Sequence, residues 1–147
     1  MSDSAIGAAL KATRTALVGA NALWGSKVFS EQAEENMQRP YVVMIMAGAA
    51  SPTYTVKPDM NVRLIVKCVA DTMVEAIQGA EAISQALDDR GSQDAPWQTT
   101  KTLVDGGADW TILTITELEG FHINENVDNV RGVYHAGAAY RFVMQRK

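Results

Sequence analysis

The sequence predicts an α+β fold: a mostly antiparallel β-sheet with two α-helices on one face, in a single domain of residues 1–147. Three observations carry this. Apolar residues recur at helical spacing near residues 4–18 and 71–91. Other stretches alternate with the period of a strand, most clearly Asn61–Ala70 and the closing Val133–Met144. The order is helix, strands, helix, then strands, which is an α+β arrangement. A chain of 147 residues suits one domain, and at about this length roughly 68–70% of the unfolded surface is buried, enough for a core without staples.

The first helix is predicted over Ser4–Val18. Asp3 or Ser4 caps it, Gly19 supplies a left-handed end, and Ile6, Leu10 and Leu17 with Ala9 and Ala16 form a narrow apolar stripe. Thr13 is the one polar interruption of that stripe. A short strand follows around Lys27–Phe29, and then the acid-rich segment SEQAEENMQRP reads as an exposed loop ending at Pro40. Tyr41–Ala47, YVVMIMA, is apolar on both faces, as expected of a central strand covered on both sides. GAASPTYTVKPDM reads as an extended loop.

In Asn61–Ala70, Val62, Leu64, Val66 and Cys68 share one face, while Arg63, Ile65, Lys67 and Val69 share the other. The second helix is expected to start at an Asp71 cap, to bury Met73, Ala76, Ile77, Ala80, Ile83 and Leu87, and to stop at Gly91. WQTTKTLV and WTILTITELE read as strands joined by a DGGAD hairpin turn, Asp105–Asp109. GFHINENVDNVRG reads as a long polar connection. In the last strand Tyr134, Ala136, Ala138, Tyr140, Phe142 and Met144 face one way, and Val133, His135, Gly137, Ala139, Arg141 and Val143 the other.

Composition narrows the function. The 47% hydrophobic and 20% charged content is that of a globular protein. The formal charge of -4, with scattered basic residues, marks no nucleic-acid groove. The opening MSDSAIGAAL reads as no signal peptide, and the run YVVMIMAGAA is too short for a bilayer. A single cysteine excludes an internal disulfide framework and fits assembly in a reducing cytoplasm.

No catalytic constellation emerges. His122 and His135 lie 13 residues apart, outside any metal-ligand spacing with Cys68. His135 reads as a packed strand residue and Cys68 as a buried, inert thiol. DGGAD lacks the alternating oxygens and terminal glutamate of a calcium loop. Glu117 and Glu119 are expected on one face of a strand end, pointing to solvent. The glycines form no phosphate-binding loop, and the dispersed methionines read as core or contact residues.

The order of segments resembles the tail-terminator (tail-completion) proteins of long-tailed phages, in the branch of small domains of unknown function. The segments are the AALKATRTALVG helix, KVFSEQAEENMQRPYVVM leading through a loop and an arginine–proline into an apolar strand, NVRLIVKCVADTMVEAIQGAEAISQAL, and the closing ENVDNVRGVYHAGAAYRFVM. The resemblance implies a structural protein without reaction or cofactor. It implies a ring, usually of six copies, at the head-proximal end of the tail tube, ending tube polymerisation and offering a surface to the head. The implied partners are other copies, the major tail tube protein and the head-completion or connector protein, within the virion and after assembly in the host cytoplasm. Another neck or connector ring and a small ligand-binding domain are the alternatives.

Candidate contacts fall on three polar segments and a strand: Glu31, Glu34, Glu35 and Arg39; Tyr54 and Lys57; Arg63 and Lys67; His122, Asn126 and Arg131. A cyclic ring joins two different patches of each copy. Opposite charge is the expected match, with Glu31, Glu34 and Glu35 on one patch and Arg63, Lys67 or Arg131 on the other.

Overall fold

A computed structural model describes residues 4–33, 37–50, 59–88, 109–126 and 132–147. Helix α1 (Ala5–Leu17) starts where the Ser4 hydroxyl accepts the Gly7 N–H at 3.0 Å. Its buried face is mostly alanine: Ala5, Ala8, Ala9 and Ala12, with Leu17. Small side chains let the helix lie close to the sheet. Thr13 is fully buried, and its hydroxyl donates to the Ala9 carbonyl at 2.7 Å, so the polar interruption is satisfied inside the helix. Gly19 has φ +76, the left-handed end the sequence predicts. Trp24, in the turn that follows, folds back beneath α1 and donates its indole N–H to the Leu17 carbonyl at 2.7 Å.

Among the described residues five strands form one sheet in the order β1-β2-β3-β5-β4: β1 (Val28–Ser30), β2 (Tyr41–Ala50), β3 (Asp59–Ala70), β4 (Trp110–Asn126) and β5 (Gly132–Arg146). β1 runs parallel to β2, and the other pairs are antiparallel. Helix α2 (Met73–Leu87) packs on the same face as α1. The shared core takes Val42 and Met44 from β2, Val62, Leu64, Val66 and Cys68 from β3, Ile112 and Ile115 from β4, and Ala138, Tyr140, Phe142 and Met144 from β5. The predicted face assignments for β3 and β5 therefore hold, as does the α+β class.

Several predicted boundaries move. β2 runs on through Gly48–Ala50, past an irregularity between Met46 and Gly48, and β3 begins at Asp59. The cap of α2 is Thr72, whose hydroxyl accepts the Glu75 N–H at 3.2 Å. Asp71 is occupied elsewhere: its carboxylate holds Arg39 at 2.6 Å. The helix ends at Asp88, and Gly91 lies outside the described residues, as do WQTTKTLV and most of the DGGAD turn.

Within α2, Ile77 is 42% exposed, against the expectation. The buried stripe is Ala76, Gly79, Ile83 and Leu87, and Ile77 sits about 100° off it. Gly79 allows the close approach to β3, since a Cβ there would lie 2.6 Å from the Cys68 Cβ. The largest correction is β4. Gly120–Asn126, predicted as a loop, is strand and pairs residue by residue with Gly132–Ala138. Among the described residues β4 has β5 as its one neighbour, and a strand paired on one side takes polar residues without loss.

Cys68 is fully buried, and desolvation, with the Glu75 charge second, pushes its thiol up from 9.0 to about 11. Because the folded value is the raised one, this contribution to stability is complete below pH about 9 and is lost as pH rises through about 11. At pH 8 the native thiolate fraction is therefore roughly 100-fold below that of the unfolded chain. Iodoacetamide should alkylate the native protein at least that much more slowly than the protein in denaturant; equal rates would contradict the burial.

Candidate functional site

Both described helices lie on one side of the sheet, and no described helix packs on the other. The register arranges that open face in rows. Tyr41, Val69, His135 and Ile123 form one; Val43, Lys67, Gly137 and Phe121 the next; then Ile45, Ile65, Ala139 and Glu119. Val43, Val69 and Val133 make a small buried cluster there, with Tyr41 and Ile45 against it. Phe29 of β1 adds an edge-to-face contact with Tyr41, ring centroids 6.0 Å apart. Much of this surface is apolar.

The next row carries charge. Arg63 of β3 and Arg141 of β5 stand directly opposite each other, and both are exposed. Like charges in that position repel. Among the described residues neither has an ion-pair partner. The two arginines thus stand beside the Ile45–Ile65 row, where Glu119 on β4 is the one carboxylate among those paired residues.

On the helix side, α2 leaves the distal half of β4 partly uncovered, which opens a notch of about 340 Å³. Ile77, Glu81 and Ser84 form one wall, Glu117, Gly120 and His122 the other, with Ala136 among the remaining lining residues. Small residues on β4 and β5 leave this space. An irregularity between Glu117 and Glu119 shifts the phase of β4 and places the two carboxylates on opposite faces, correcting the expected same-face pair. Glu117 turns inward opposite Tyr140 and accepts the Ser84 hydroxyl at 2.7 Å, while its backbone N–H donates to Asp88 at 2.8 Å. Burial holds the Tyr140 phenol far above its ordinary range, and the Glu117 charge adds to this. The network keeps a neutral phenol and ties the end of α2 to β4 and β5. Ser84 here donates to a carboxylate, which is a structural hydrogen bond rather than an activated nucleophile.

The predicted contact residues do not converge on one surface. Arg63 and Lys67 share the open face. Glu31 lies beside β1 with a left-handed backbone, φ 67, and its carboxylate accepts the Met46 N–H at 3.3 Å. Arg39 is held by Asp71. His122 is exposed at the notch on the helix side, and Asn126 ends β4. Glu34, Glu35, Tyr54, Lys57 and Arg131 lie outside the described residues. His135 falls on the open face between Val69 and Ile123. Among the described residues no group of three or more histidine, cysteine or carboxylate side chains could hold a metal ion, and no helix is long and apolar enough to cross a membrane.

Sequence reasoning missed Glu81, the pairing of Arg141 with Arg63, the inward turn of Glu117 and the exposure of Val74 and Ile77. Arg141 sits on the same strand face as His135 in the alternation; only the β3–β5 register reveals that it opposes Arg63. Val74, 65% exposed, lies opposite the stripe through Ala76, Ile83 and Leu87 and is readable from spacing; Ile77 lies beside that stripe, and its exposure follows only from the packing.

No protein-family model matches the chain, and no curated protein matches it in sequence. A chain from the structure titled "Virion of native gene transfer agent (GTA) particle" is similar in fold, with a TM-score of 0.69 over 98% of this chain and 99% of that chain. The two are 15% identical, so the likeness shows a shared fold.

Proposed function

We propose that this chain is a structural protein of a phage-type particle, forming a ring at the head-proximal end of the tail tube. There it ends tube polymerisation and presents a surface to the head. The observation that carries the reading is the fold match, near full length in both directions, to a chain of a gene transfer agent virion. The segment order that resembles tail terminators supports the finer role. The geometry is compatible with a ring: the molecule has two unlike faces, one apolar and basic, the other bearing exposed apolar and acidic residues of α2. A heterologous contact needs two such different patches.

Purified particles test the reading. Mass spectrometry should find the chain in them, and antibody-gold should label one point per particle, where head meets tail. Labelling along the whole tail would contradict a terminator, and absence from the particles would contradict a virion protein.

A further inference from the structure

The open face of the sheet and the outer side of α2 fit one another. We propose that α2 of a second copy lies across the open face, its Val74–Ile77–Glu81 stripe against Ile45 and Ile65 with Glu81 placed between Arg63 and Arg141. The inference deepens the ring reading and rests on it, by naming the two patches that join neighbouring copies.

Three observations select this occupant. First, on the face away from the described helices Val43, Val69 and Val133 are buried, whereas Ile45 and Ile65 in the row beside Arg63 and Arg141 stay partly exposed. A helix from a neighbour covers this remaining apolar row. Second, Val74, Ile77, Glu81 and Gln85 follow each other at intervals of three or four along α2, and all are exposed, so they form one outward stripe. Val74 and Ile77 are 65% and 42% exposed and adjoin on this stripe, so together they form a small apolar patch that a partner can cover.

Third, the charges match. α2 contains Glu75 and Glu81 and no basic residue. Arg63 and Arg141 repel each other across the ladder, and a carboxylate between them removes that repulsion and gains two charge-assisted contacts. Among the described residues Glu81 has no ion-pair partner. Glu31, the acidic residue first expected to meet this patch, already accepts the Met46 N–H at the β1 edge. The two patches lie on opposite sides of the molecule, so the contact is head-to-tail and repeats from copy to copy, as a ring requires.

Cross-linking with a short bis-maleimide tests the contact. The variant carrying both Ile65→Cys and Ile77→Cys should give a ladder beyond dimer, in concentrated protein or in particles. Each single variant should give monomer, because residue 65 meets residue 77 of the neighbour and not itself. Wild type is the control for buried Cys68, and matching thermal unfolding curves show that the variants fold. Adding Arg63→Glu and Arg141→Glu should cut the ladder by at least ~10-fold through like-charge contact with Glu81, and Glu81→Arg in the same chain should restore it. A dimer from Ile65→Cys alone, or no ladder in either setting, overturns the proposal. The outcome separates from that of the ring reading: particles that contain the chain but give no ladder refute this contact only, whereas a ladder from a chain absent from particles refutes the virion role only.

Discussion

Gly137→Ala is expected to destabilise the protein by about 3 kcal/mol or more, at or beyond the upper end for overpacking. Gly137 pairs with Lys67 in the β3–β5 ladder. A Cβ on it would run into the Val66 carbonyl oxygen and lie 2.6 Å from the Lys67 Cα. These are backbone atoms of the central strand, which cannot swing aside as a side chain can. β3 and β5 would have to separate at the Lys67–Gly137 pair, in the middle of their ladder. Gly120→Ala is the matched control, because its Cβ would meet the Gly137 carbonyl oxygen at an ordinary 3.7 Å. Urea unfolding of the two variants should show a large loss for the first and a change within about 0.5 kcal/mol for the second. Equal, small effects would mean that β3 and β5 are not packed this closely.

Trp24→Ala carries the other large effect, a loss of about 3–5 kcal/mol. Trp24 is 1% exposed and packs with Leu17 and Val28 in the main core. Truncation leaves a cavity beneath α1 and strips the Leu17 carbonyl of its indole donor. For a chain of this size each kcal/mol shifts the melting temperature by about 2–4 °C, so a fall on the order of 10 °C follows. Trp24→Phe keeps much of the apolar volume and should lose less than half as much. A thermal scan by circular dichroism reads both, and an unchanged melting temperature for Trp24→Ala would contradict the packing.

Much of the fold was legible because local signals agreed with the tertiary outcome. The alternation of β3 and β5 fixed which residues enter the core, and Gly19 ended the turn after α1 as its type suggests. Helix α2 was legible as a helix, but its inward direction was not. Ile77 looks like core until Gly79 is seen to be the point of closest approach to Cys68. Gly120–Asn126 escaped because β4, which pairs with β5 alone among the described strands, is not obliged to be apolar, so its polar residues read as loop. The phase of Glu117 and Glu119 escaped because an irregularity shifts the alternation without changing the composition.

The candidate surface was only half legible. The mixed charge of Arg63 and Lys67 on β3 marked one basic patch from alternation alone. Its completion by Arg141 depends on which strand β3 pairs with, a long-range fact that a local pattern does not hold. The acidic counterpart was sought in the polar loops, where solvated carboxylates are common. The structure offers one on the outer side of a helix, beside apolar residues that no described element covers.

Electron microscopy of particles produced without this protein tests the central claim most directly. A ring that ends tail growth predicts filled heads lying beside separate, overlong tail tubes, with normal particles restored when the chain is supplied in trans. Intact particles with tails of normal length, joined to their heads and infectious, would contradict it.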